Sequence, residues 1–100
     1  MPRYPQSAFE AIAREASRIC DLAHDGNKEA FKAAKIFCKN VIKKYDDYEA
    51  YSFEKDLKDY EYDYKCGDER YACRGLVGLI ERSTEAVLKK MEAHNSEFDY

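Results

Sequence analysis

A chain of 100 residues with a net charge of −3 and a pI near 5.4 has room for one hydrophobic core and none for two. Apolar residues at 45% and charged residues at 37% are a globular balance, and only four glycines and two prolines favour long helices over a many-stranded sheet. No apolar run approaches the roughly eighteen residues that span a bilayer, and MPRYPQSAFEAIAREAS lacks the apolar centre of a signal peptide, so a cytoplasmic protein with no membrane contact is expected.

Residues 1–6 contain Pro2 and Pro5 and read as an irregular lead-in. Ser7 followed by Glu10 reads as a capping box that opens a first helix over 8–24, with Phe9, Ile12, Ala13, Ala16, Ile19, Cys20 and Ala23 inward. Asp25-Gly26-Asn27 ends it, Gly26 supplying a left-handed residue and Asn27 a cap for the next helix. The second helix, 28–45, packs through Phe31, Ala34, Phe37, Cys38, Val41 and Tyr45. Its opposite stripe carries Lys28, Lys32, Lys35, Lys39 and Lys43. Asp46 and Asp47 cap a third helix over 48–65, and Cys66-Gly67-Asp68 stops it and caps a fourth over 69–94.

The fourth helix buries Ala72, Cys73, Leu76, Val77, Ile80, Thr84, Val87 and Met91. Gly75 and Gly78 interrupt it at about 1 kcal/mol each relative to alanine. Either the helix starts late or another backbone passes close there, and the periodicity leaves both open. Residues 95–100 are polar and expected to fray. Short turns between four amphipathic helices predict an all-α fold, a single-domain antiparallel helical bundle over 1–100. Its core is expected to be Phe9, Ile12, Ala16, Ile19, Phe37, Val41, Leu57, Leu76, Ile80 and Val87.

Charge is divided unevenly between the middle helices. Residues 27–44 hold six lysines against one glutamate, hence +5, and residues 45–64 hold eight acids against two lysines, hence −6. The stretch from Tyr45 to Lys65 also holds six of the nine tyrosines. Phe53, Leu57, Tyr60 and Tyr64 recur at the spacing of a packed helix face. On the other side Tyr48, Tyr51 and Tyr62 come round beside Asp56, Asp59 and Asp63.

Little here points to catalysis or cofactors. Cys20 and His24 share one helix face at i and i+4, but two ligands are not a zinc site, and Cys38, Cys66, Cys73 and His94 come singly. A helix-end role for His24 and a core role for Cys20 explain them without a metal. Without an export signal the four cysteines read as reduced, Cys66 and Cys73 being the pair to test for a disulfide. The glycines at 26, 67, 75 and 78 form neither a phosphate loop nor a dinucleotide motif. Carboxylates on an exposed helix are solvated, whereas catalytic ones need a cleft, so no enzyme and no cofactor are expected.

Three binding readings remain. The lysine stripe suits a phosphate or nucleotide ligand, although the acidic pI and the lack of arginine in it argue against direct nucleic-acid binding. The basic and acidic helices of two copies could pair in a structural homo-oligomer. The third reading rests on Tyr48, Tyr51, Tyr62, Asp56, Asp59 and Asp63: stacking-capable rings in acidic company suit a basic protein partner, possibly a nuclease or other nucleic-acid-binding protein. In size, charge and expected fold the chain resembles small acidic helical inhibitors, such as immunity proteins that neutralise nuclease toxins and phage-encoded anti-defence proteins that block bacterial nucleases. That resemblance implies a protein that blocks its partner by binding.

Overall fold

The computed structural model describes residues 2–97. Extended chain through Pro5, with φ −73° and ψ 157°, leads straight into α1 (Gln6–His24). The expected capping box does not form, because Ser7 already lies inside the helix and no side chain caps it. The entry is held from elsewhere: the Tyr4 N–H donates to Asn95 Oδ1 at 2.7 Å, and Asn95 Nδ2 donates to the Tyr4 carbonyl at 3.0 Å. This clamp also corrects the expected fray at 95, since the last helix runs on to Ser96 with Asn95 half-buried. Residues 98–100 of that tail lie outside the described residues.

Gly26, at φ +71°, ends α1 as expected. Asn27 Oδ1 accepts the Glu29 N–H at 2.9 Å and starts α2. That helix runs as Glu29–Phe37, a π-helical segment Cys38–Ile42, and a final turn Lys43–Tyr45. The wider turn adds one residue to the register. Ile42 therefore takes the fully buried seat that α-helical periodicity assigns to Val41, which is left half-buried at the edge of the core. Inside the π segment, the Cys38 thiol donates to the Ala50 carbonyl at 3.6 Å.

Asp46 caps α3 (Asp47–Lys65) by accepting the Glu49 N–H at 3.1 Å. Gly67, at φ +100°, ends α3 and leads to α4 (Glu69–Ser96). Asp68 stands at the N-cap position of α4, but its side chain makes no cap bond, contrary to expectation. The helix passes through Gly75 and Gly78 without a break. Close approach explains the first glycine: a β-carbon at Gly75 would enter the ring of Tyr60 on α3, whereas one at Gly78 would meet only the end of the Arg82 side chain at 3.2 Å.

The four helices form an all-α antiparallel bundle, with no strand among the described residues. Each packs on its neighbours in the ring α1, α2, α3, α4, and α4 closes the ring on α1. Tyr64 reaches across from the end of α3, its hydroxyl donating to the Gly26 carbonyl at 2.7 Å, with its ring against Phe31. One contiguous core runs from Ile12 to Met91. Of the expected core only Phe9 and Val41 are partly exposed, and Leu79 and Ile42 join it. Ser83 is also fully buried, its hydroxyl donating to Glu49 Oε1 at 2.9 Å.

Candidate binding face on the third helix

α3 owes its place to one face. Ala50, Phe53 and Leu57 are buried, and Tyr60 and Tyr64 pack half-buried beside them. With that face filled, the remaining tyrosines turn outward: Tyr48 is 84% exposed, Tyr51 72% and Tyr62 67%. At 100° per residue they share an arc of about 80° with Lys55 and Asp59. Tyr48 and Tyr51 mark one end of this stripe and Tyr62 the other, about 21 Å away along the helix.

The three aspartates do not sit alike. Asp59 is exposed on the stripe itself. Asp56 and Asp63 are half-buried, four residues before and three after Tyr60, and so flank the side that packs on α4. Lys55, between the Tyr48 and Tyr51 end and Tyr62, gives the stripe a positive charge near its middle that the acidic total of the helix conceals. The Tyr62 phenol is held above its ordinary pKa, first by hydrogen bonding with the Cys66 side chain at the helix end, then by charge on Cys66, some burial and Asp63. Like any tyrosine at neutral pH it is an uncharged hydroxyl, able to donate and to accept.

Two exposed apolar residues escaped the sequence reading. Tyr71 lies at the start of α4 with its ring 6.1 Å from that of Tyr60. It falls in the stretch where the glycines left the helix start undecided, although its place just outside the Ala72, Cys73, Leu76 phase was the available signal. Ile36, 52% exposed on α2, stands among the lysines. Lys28, Lys32, Lys35, Lys39 and Lys43 all face solvent. Lys35 reaches Glu61 of α3 at 2.9 Å, so the basic and acidic helices meet within one chain at one point at least.

His24 is exposed and Cys20 half-buried. Among the described residues no three His, Cys, Asp or Glu side chains gather as a metal site would need. The four cysteines are free thiols, Cys66 exposed in its turn and Cys73 buried in α4. Burial pushes the Cys38 thiol up to about 11, with Glu54 adding to the shift and Lys43 opposing it. Among the described residues no helix is long and apolar enough to cross a membrane. Compared with models of known protein families, with curated proteins and with solved structures, the chain matches none.

Proposed function

We propose that this is a small acidic binding protein that acts in the cytoplasm, without catalysis, by blocking a basic protein partner that handles nucleic acid. In this reading it is an inhibitor of the immunity-protein or anti-defence kind. One observation carries it: three tyrosines, each at least two-thirds exposed, lie on the outer stripe of a helix whose inner face already has its packing. Such rings bring large contact area at low cost in side-chain entropy. Tyr48, Tyr51 and Tyr62 are the anchors, Asp59 steers a basic surface toward them, and Asp56 and Asp63 fix its orientation on the α4 side. Lys55 requires an acidic or aromatic group on the partner opposite the middle of the stripe.

Capture from a lysate tests this when wild type is run beside a Tyr51→Ala/Tyr62→Ala double variant, the expected partner being one that only the wild type retains. With that partner purified, Tyr51→Ala should speed dissociation and cost at least about 2 kcal/mol. Asp59→Asn should chiefly slow association and weaken its salt dependence. Recovery of the same partners by both proteins, or a partner held by Lys28, Lys32 and Lys39, defeats the reading.

A second reading has its own support. No ion pair engages Lys28, Lys32, Lys39 or Lys43 among the described residues, and Ile36 offers an apolar contact among them. A homo-oligomer that sets this helix against α3 of another copy would dissociate on adding salt, which light scattering at low and high ionic strength reads directly.

A further inference from the structure

A long trough runs between α1 and α4, on the side of the bundle away from the outer stripe of α3. Its wider part, about 780 Å³, begins at Pro5, Phe9 and Glu10 against Asn95. A second part, about 520 Å³, continues to Cys20 and Glu81. Ala13, Leu88 and Glu92 line both, so the two form one groove. From Phe9 to Cys20 it follows α1 for about 16 Å, three helical turns. Both parts are open to solvent along their length, a shape that suits a rod lying in it better than an enclosed small molecule.

The floor is built from small and apolar groups, Ala13, Ala16 and Cys20 on α1 facing Ile80 and Leu88 on α4. Small residues let another backbone approach closely. Thr84 also lines the groove, but its hydroxyl oxygen is sealed from solvent and adds no accessible polar group to the floor. The rim is acidic. Glu10, Glu81, Glu85 and Glu92 line it against the cations Arg3 and Lys89, and Lys89 is paired with Glu85 at 2.9 Å. Cys20 registers this field: its thiol is raised first by burial and then by the charges of Glu81 and Asp21.

We propose that this groove is a second binding site that receives a basic amphipathic helix from a partner protein. The apolar face of that helix lies on the Ala13–Leu88 floor, and its lysines or arginines meet Glu81 and Glu92. Charge selects the occupant: an acidic helix would set like charge against Glu81 and Glu92, and a neutral one would lack the attraction they offer. The site is independent of the tyrosine stripe and stands if that reading fails.

A synthetic helix of leucine and lysine in amphipathic register, titrated into the full-length protein and followed by amide shifts, tests it. Saturable binding is expected, with shifts concentrated at Ala13, Cys20, Thr84 and Leu88. Ala13→Phe, a filling change at an exposed position that circular dichroism can show to be folded, should weaken binding at least about tenfold. Tyr51→Ala/Tyr62→Ala should leave it unchanged. No saturation by about 1 mM, equal affinity for a leucine–glutamate helix, or wild-type affinity in Ala13→Phe overturns the proposal. So does concentration-dependent self-association abolished by Ala13→Phe, which would make the occupant a second copy of this chain.

Discussion

A β-carbon at Gly75 would have to share space with the ring of Tyr60, while one at Gly78 would displace only a flexible guanidinium. The two glycines of α4 are thus opposite in kind although they look alike in sequence. Gly78→Ala should stabilise the protein by about 0.5–1 kcal/mol, the usual helix gain. Gly75→Ala should destabilise it by about 1–3 kcal/mol, because the clash with a packed ring outweighs that gain. Denaturant unfolding of both variants decides it, and a stabilised Gly75→Ala would mean that Tyr60 can move aside. A second residue-scale prediction concerns pH. The Cys38 thiol is raised from 9.0 to about 11, chiefly by burial. The unfolded chain releases this proton first, so the stability tied to the neutral thiol is whole below pH 9 and is lost as pH rises toward 11. Wild type should lose on the order of 2 kcal/mol across that window relative to Cys38→Ala. Parallel pH profiles of the two proteins would count against it.

The elements follow from periodicity and caps almost residue by residue, because each helix is amphipathic and each turn carries its own breaker. Gly26, Asn27, Asp46 and Gly67 all act locally, and local chemistry is what a sequence displays. The departures are tertiary. Asn95 displaces the Ser7 capping box by holding Tyr4 from the far end of the chain, and no window around Ser7 contains that information. The π segment is similar: the residues of Cys38–Ile42 fit an α-helix equally well, and the added residue is visible only in which side chain reaches the core. Its energetic signature is testable. Ile42→Ala should cost about 2–5 kcal/mol by cavity formation, and Val41→Ala about 1 kcal/mol or less at its half-exposed seat; the reverse order in thermal unfolding would restore the plain α-helical register. The tyrosine stripe was legible because it is the complement of a clear packed face. The α1–α4 groove was not, since its floor and rim come from helices at opposite ends of the sequence.

At the scale of the whole molecule, the bundle sets its most exposed aromatic face and its acidic-rimmed groove on different sides. α3 packs on α2 and α4, and the groove belongs to α1 and α4, so one chain has two surfaces that a single partner of ordinary size would not cover together. The clamp between Tyr4 and Asn95 has a further consequence. It brings residues near the two ends of the described chain within hydrogen-bonding distance, which makes the ring of helices nearly a closed loop with the cut at one of its four corners. The cut can be moved. A circular permutant that begins at Asp68, ends at Gly67 and joins 97 to 3 through a short flexible link should fold to the same helix content. In it the covalent link takes over the closure entropy that the clamp otherwise meets. Asn95→Ala should therefore cost less in the permutant than in the original order, a coupling that denaturant unfolding of the four proteins measures. Equal costs would show that Asn95 matters only for the two bonds it makes.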